Sequence, residues 1–324
     1  MEKVLVTGAA GYIGSVLVNQ LLRDDKKVIA FDILNFGGES LLSIYNHPNF
    51  TFVKGDVRVK EDYQALLDQV DSVVHLAAIV GDPACSKLPE VATETNWEAS
   101  KELFDLCKEK KNIKRFVFAS TCSNYGKMEG NDFLNEDSPL NPVSLYAKLK
   151  VKFEKYLLGS EVREDFAATA LRFSTVYGIS PRIRFDLTVN EFVRELSFGR
   201  ELVIFGEQFW RPYCHVEDLA RSCILVLKSD PKLVKQEVFG VGDSNENYQK
   251  KMLADIMQEV IPNSVVKYVK RDEDPRDYRV EFSKIANTLG FKITKRVPDS
   301  VEAIHELLKA GVLIDPWDKK YQNI

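Results

Sequence analysis

Val4-Leu5-Val6-Thr7-Gly8-Ala9-Ala10-Gly11-Tyr12-Ile13-Gly14 opens the chain on an apolar strand that runs straight into three spaced glycines. Gly8 permits a tight turn off the strand, Gly11 lets the backbone approach a pyrophosphate, and Gly14 lets the next helix pack close to the sheet. The start of that helix offers unpaired amide hydrogens and a positive dipole end to phosphates. The context is the one the motif requires: a strand predicted over 3–7, then an amphipathic helix with Ile13, Val16, Leu17, Leu21 and Leu22 on one face. The following apolar run, 27–31, ends in Asp32, where a carboxylate can accept from both ribose hydroxyls and would repel a ribose 2'-phosphate. The dinucleotide therefore reads as NAD rather than NADP.

Outward from this stretch, apolar strands at 3–7, 27–31, 50–54, 73–76, 115–119 and 166–171 alternate with helices near 13–23, 60–68, 94–110 and 143–160. Such alternation predicts an α/β fold, a Rossmann-type doubly wound parallel sheet with helices on both faces. The nucleotide-binding domain is expected over 1–175, with the chain returning to it around 212–230. A smaller C-terminal substrate-binding lobe takes most of 176–324. In that lobe the pattern predicts a helix at 186–197, a hairpin-like stretch over 202–209, helices at 216–227 and 248–260, a strand at 265–270 and two further helices. The lobe should close over the carboxyl ends of the strands, where ligands bind in such sheets.

Composition narrows the function classes. The 324 residues carry 44 basic against 48 acidic side chains, a formal charge of -4, and the charges are well mixed, which announces no nucleic-acid-binding face. Five cysteines without a CxxC pair indicate a reducing compartment and neither a disulfide frame nor a thiolate metal site. Histidines scattered at 47, 75, 215 and 305 make no metal cluster, and His215 reads as a core or supporting residue. No apolar run reaches membrane-spanning length, and Met1-Glu2-Lys3 leads directly into a strand without room for a signal peptide; cytoplasm is the expected location.

Tyr146-Ala147-Lys148-Leu149-Lys150 lies in a predicted helix, so Tyr146 and Lys150 share a face one turn apart. An ammonium near a phenol favours the phenolate, and a nicotinamide cation favours it further, which would bring Tyr146 toward base duty. Thr121 follows the strand at 115–119 and can hydrogen-bond the substrate oxygen while Tyr146 handles its proton. Hydride transfer to nicotinamide would complete an alcohol oxidation.

With these residues in place the chain resembles the extended short-chain dehydrogenase/reductases of the NAD-dependent sugar-nucleotide epimerase and dehydratase family. The resemblance runs over TGAAGYIGS at 7–15, Asp32, Gly55-Asp56-Val57, His75-Leu76-Ala77-Ala78, Asn96, ASTCSNYG at 119–126, Tyr146 with Lys150, LRFSTVYG at 171–178 and RPYCHVEDLA at 211–220. It implies NAD contacts from Gly8, Gly11, Tyr12, Ile13, Gly14, Asp32, Asp56, Val57, Leu76, Ala77, Ala78, Asn96, Tyr146 and Lys150, with Lys150 on the nicotinamide ribose. It implies a nucleoside diphosphate sugar as substrate, touched by Thr121, Cys122, Ser123, Asn190, Arg211 and an arginine from Asp272–Arg279; Arg276 is taken here, with Arg279 left open. Ser86, Lys87 and the 80–92 loop occupy the position that usually faces the sugar.

In dehydratases of this family the catalytic threonine is followed by aspartate and glutamate. Cys122 and Ser123 stand there, and neither performs carboxylate chemistry. The resemblance therefore points to an epimerase, most simply at C4 through a transient 4-keto sugar and bound NADH, with Thr121, Tyr146 and Lys150 as its catalytic residues. Cys122 reads as a small buried thiol. A net NAD(P)-dependent dehydrogenase or reductase, and a non-catalytic NAD-binding protein, are the alternatives. Relatives also imply a homodimer through a four-helix interface of 94–110 and 143–160; periodicity alone would permit those faces to be intramolecular core.

Overall fold

Strands buried on both faces need apolar side chains on both, and the first strand meets that demand: Val4 and Val6 enter one core while Leu5 enters the other. A computed structural model describes residues 2–127, 130, 132–271 and 276–323. Its strands are β1 (Lys3–Thr7), β2 (Lys27–Asp32), β3 (Phe50–Lys54), β4 (Ser72–His75), β5 (Arg115–Thr121), β6 (Ala167–Phe173), β7 (Thr175–Tyr177), β8 (Leu202–Phe205), β9 (Trp210–His215), β10 (Glu237–Val241), β11 (Asn247–Gln249) and β12 (Val266–Val269). Seven of them form one parallel sheet in the order β10-β6-β5-β4-β1-β2-β3. The strand order reverses between β1 and β4, which opens the ligand crevice at their carboxyl ends.

Helices Tyr12–Arg23 and Val216–Lys228 cover one face, with Leu17, Leu21, Leu219 and Cys223 fully buried against Val4, Val6 and Val74. Helices Ser100–Glu109 and Leu145–Gly159 cover the other through Leu103, Phe104, Phe153 and Leu157. There Phe118 and Phe153 meet edge to face at 4.6 Å. Such a pair is worth about 0.5–1.5 kcal/mol beyond its buried area. The doubly wound α/β expectation is met.

Departures from the predicted elements have local causes. The 60–68 helix is a short α-turn, Lys60–Tyr63, followed by a 3-10 turn, Leu66–Gln69. The 94–110 helix begins as a π-helical stretch, Glu94–Ala99, a rare form that often marks functional sites. No hairpin forms over 202–209. Here β8 pairs in parallel with the distant β12, whereas β9 pairs with β7 and β11 in a separate three-stranded sheet. Alternating apolar residues signal a strand but not its partner. The chain also returns to the large sheet a second time, as β10 beside β6. Among the described residues, no helix is long and apolar enough to cross a membrane and no cluster could hold a metal.

Candidate active site

The crevice starts at the glycine-rich turn. Gly8 has φ +71°, and a side chain there would also press to within 2.8 Å of the Ala77 backbone nitrogen. A Cβ on Gly14 would stand 2.1 Å from the Gly8 carbonyl oxygen, so the close packing assigned to this glycine is between the helix and the turn itself. Asp32 braces that turn, its carboxylate accepting from the Ala10 amide at 2.9 Å, and it also accepts from the nearby Leu34 amide at 2.8 Å. Burial raises the Asp32 pKa, and the two amides oppose the shift. Tyr12 is buried at the helix start; its hydroxyl donates to the Gly178 carbonyl and accepts from Asn190 at 3.2 Å, while Ile13 packs half-buried on the core. Beside Asp32, the Gly55 amide donates to the Asp32 carbonyl; Asp56 is paired with Arg58 at 2.6 Å and Val57 is buried. Leu76, Ala77 and Ala78 form a half-buried wall beyond β4.

This wall is positioned by His75 and Asn96. His75 joins Thr7 at 2.7 Å and Ser100 at 2.9 Å across the strand reversal, and burial drives its pKa down to about 3, so the imidazole stays neutral. Asn96 was expected on the cofactor, but it is 1% exposed, and its amide accepts from the Ile79 nitrogen at 2.8 Å and donates to the Ile79 carbonyl at 2.9 Å. Asn96 thus fastens the backbone at Ile79, one residue beyond the wall.

At the reaction end, Thr121 terminates β5 and caps the 3-10 turn Cys122–Tyr125, its hydroxyl accepting from the Ser123 amide at 3.1 Å. Tyr146 lies in the first turn of helix Leu145–Gly159, which Ser144 caps through the Ala147 amide at 3.2 Å. Burial raises the Tyr146 pKa well above the phenol range; Cys85 and Asp82 raise it further, while Arg184 and a hydrogen bond with Thr121 oppose the shift. Lys150 stands one turn on, 5.9 Å from the Tyr146 ring, and donates to the Ala119 carbonyl at 2.7 Å. Its burial pulls its pKa down to about 7. Burial is the largest influence on both groups, and Thr121 and Arg184 favour the ionised phenol against it.

Behind the turn at Thr121 lies a buried network that local sequence pattern does not announce. Glu154 receives Ser120 at 2.6 Å and pairs with Arg172 at 2.7 Å, and Arg172 also donates to the Tyr125 hydroxyl at 3.0 Å. The pair is 1% and 4% exposed, so removing one partner would strand a charge at a cost of about 3–5 kcal/mol. The signal was present as a glutamate one turn after Lys150 and an arginine inside an apolar strand.

Two expected substrate contacts face inward. Cys122 is 1% exposed, donates to the Arg172 carbonyl, and burial pushes its thiol up to about 12. Asn190 is fully enclosed: it accepts from the Gly178 amide at 2.9 Å and donates to the carbonyls of Gly178 and Arg184, so it clamps a loop and offers no amide outward. By contrast Ser123 remains half-buried, within hydrogen-bonding influence of Tyr278. Arg211 lies 5.4 Å from the same Tyr278 ring. Arg276 reaches Asp82 at 3.0 Å, joining its segment to the 80–92 loop, whereas Arg279 lies 4.6 Å from the Phe133 ring and 5.2 Å from the Trp210 ring. Asp82 thus ties that loop to the Arg276 segment; Ser86 and Lys87 are exposed. Asp272 to Pro275, the start of the segment expected to carry a phosphate-binding arginine, lie outside the described residues. His215 is buried, accepts from the Glu217 amide at 3.2 Å as a helix cap, and burial lowers its pKa to about 4.

A seven-stranded parallel sheet with a glycine-rich turn at its switch point, an acid closing the second strand and a Thr-Tyr-Lys set beyond the fifth defines a nicotinamide-dinucleotide enzyme. Residues 4–242 match the model of the NAD dependent epimerase/dehydratase family, and the chain belongs to that family. It is 34% identical over 248 residues to an uncharacterized UDP-glucose epimerase of Bacillus subtilis, covering 73% of this chain and 75% of that one. A dTDP-glucose 4,6-dehydratase of an Actinoplanes strain is 30% identical over 90% of this chain and 92% of its own. Among solved structures, a UDP-N-acetylglucosamine 4-epimerase of Methanobrevibacter ruminantium superposes with a TM-score of 0.82 at 28% identity, covering 95% and 98% of the two chains. The cofactor is NAD. The site fits it: Gly8 and Gly14 leave no room for side chains beside the turn, and Asp32 stands at the strand end where the ribose belongs.

Proposed function

We propose that the protein is an epimerase of a nucleoside diphosphate sugar, acting at C4 through a transient 4-keto sugar. The observation that carries this reading is the turn at the reaction end, where Thr121 meets Tyr146 and no carboxylate follows it, Cys122 being turned into the core. Elimination of water needs an acid and a base beside the sugar, and this turn supplies neither. UDP-linked epimerases among the relatives support a uridine nucleotide as the carrier.

In this reading Thr121 orients the C4 hydroxyl, and Tyr146 takes its proton as the C4–H bond gives up its hydride. NAD held at the glycine-rich turn and Asp32 would supply the hydride acceptor and donor, and its cationic ring would favour the phenolate that burial alone disfavours. Tyr146 then gives the proton back to the oxygen after the ketosugar has presented its other face. Lys150, held on Ala119 one turn from the phenol, brings a positive charge behind it when protonated, and burial lowers its pKa to about 7. Ser123, Arg211 and Arg276 are the proposed substrate contacts, with the arginines on the phosphates. The same reading carries a homodimer through helices 94–110 and 143–160.

The test is a screen of purified protein against UDP-, GDP-, dTDP- and CDP-sugars without added cofactor, by mass spectrometry and ring couplings in NMR. A product of unchanged mass with inverted C4 is expected. A mass change of two hydrogens, or turnover only with supplied cofactor, would move the assignment to net oxidation or reduction, and loss of water would make it a dehydratase.

A further inference from the structure

The loop from Gly178 to Asp186 is fastened onto the start of the first helix. Ser180 donates to the Tyr12 carbonyl at 2.7 Å and stands 3.2 Å from the Ser15 hydroxyl, and Asn190 clamps its two ends together. Two arginines ride on it, each only 8% exposed. Arg182 sits at the ribose corner: its guanidinium lies 4.2 Å from the Phe36 ring, and its charge acts on Asp32. Arg184 sits toward the reaction end: it lies 6.0 Å from the Tyr12 ring, and its charge acts on the Tyr146 phenol. The loop therefore runs along the crevice from Asp32 to Tyr146, the interval a dinucleotide spans from adenosine ribose to nicotinamide.

Two neighbouring buried guanidiniums repel each other, and the protein balances them incompletely. Arg184 gives Nε and Nη2 to Asp186 at 2.9 and 2.8 Å, which leaves Nη1 outside that pair. Arg182 donates Nη1 to the Asn323 side chain at 2.6 Å and Nη2 to the Gln322 carbonyl at 3.0 Å, both neutral. Its Nε is buried and has no hydrogen-bond partner among the described residues. Burial and the Arg184 charge together lower the Arg182 pKa to about 10, against the opposing charges of Asp186 and Asp32. A diphosphate beside the glycine-rich turn would add the negative charge that two guanidiniums facing one paired carboxylate still call for.

The tail residues hold both arginines in place. The Asn323 amide donates to Asp186 at 3.1 Å, the Phe185 amide donates to the Tyr321 carbonyl at 2.9 Å, and the Tyr321 ring meets Phe185 edge-on at 5.8 Å. We propose that Arg182 and Arg184 form a cationic clasp on the diphosphate of NAD, with residues 321–323 as its backstop, so that cofactor retention depends on the tail. The clasp rests on NAD being the cofactor and is independent of which sugar reaction follows.

Calorimetric titration of NAD into the full chain and into Arg182→Gln, Arg184→Gln and Asn323→Ala, at low and moderate salt, tests it. Each glutamine variant should bind NAD about 10- to 100-fold more weakly, with a flatter salt dependence because a charge contact has gone. Asn323→Ala should weaken binding several-fold and leave the salt dependence steep, because it loosens the clasp without removing a charge. NAD affinity within twofold of the parent in both glutamine variants overturns the clasp. So does a loss of affinity at unchanged salt dependence, which would mark the arginines as merely structural. A parent chain that takes up no NAD overturns the cofactor assignment and the clasp with it, whereas a clasp that fails in a chain that binds NAD leaves the epimerase reading standing.

Discussion

The two ends of the crevice are built by different means. At the cofactor end, the backbone does most of the work: a turn of consecutive residues from Gly8 to Gly14, braced by Asp32 through the Ala10 amide. At the reaction end, side chains converge from β5, helix Leu145–Gly159, the loop at Asp82 and the segment around Arg276 and Tyr278. A backbone site tolerates little change in shape and carries few titratable groups. A side-chain site can be emptied of its chemistry while the fold survives, so substitutions at the two ends should fail differently.

The largest effect is expected at the reaction end. Tyr146→Phe should lower kcat by about 10²- to 10⁴-fold, the usual share of a general acid-base, while NAD content and melting temperature stay near the parent values. Loss of NAD along with turnover would show that the phenol helps to hold the cofactor and would blur the contrast. Gly14→Ala should produce the opposite pattern. Its Cβ would meet the Gly8 carbonyl at 2.1 Å, so the turn must shift, at a cost of about 1–3 kcal/mol in unfolding free energy and with loss of bound NAD. Thermal melting with cofactor quantification reads both.

The smallest effect is a slope. The Lys150 pKa is about 7 in the fold, against about 10.4 in an exposed chain. Below pH 7 the group is charged in both states and its burial penalty is fully present. Between pH 7 and about 10 the unfolded chain binds the extra proton, so stability rises with pH. Urea unfolding should therefore show up to about 1.4 kcal/mol per pH unit more stabilisation between pH 7 and 9.5 in the parent than in Lys150→Met. Parallel slopes would mean that the ammonium is better solvated than its burial indicates.

The same contrast explains what was legible in the chain. The β1–turn–helix unit and the Tyr146–Lys150 spacing are local, and helical or strand periodicity places such residues without knowledge of the rest. Asn96, Asn190 and Cys122 looked like ligand contacts because their types suit the task, yet each spends its polar group on a nearby carbonyl or amide. The partner that consumes a side chain is set by tertiary packing. Arg182 and Arg184 were passed over for the converse reason: nothing in Arg-Ile-Arg-Phe-Asp shows that the run is buried beside the first helix and backed by residues 321–323, more than 130 positions on.

The parallel sheet, the switch-point crevice and the preference for NAD are legible in the chain because each follows from short-range constraints: alternating apolar runs, glycines that exclude a Cβ, and an acid at a strand end. Only the tertiary structure decided how β8 and β9 pair, that β10 extends the large sheet, which polar side chains face the crevice, and that burial rather than a neighbouring charge dominates the Tyr146 phenol. Pairing, burial and charge are sums over residues far apart in the chain, and they take definite values only when the packing is complete.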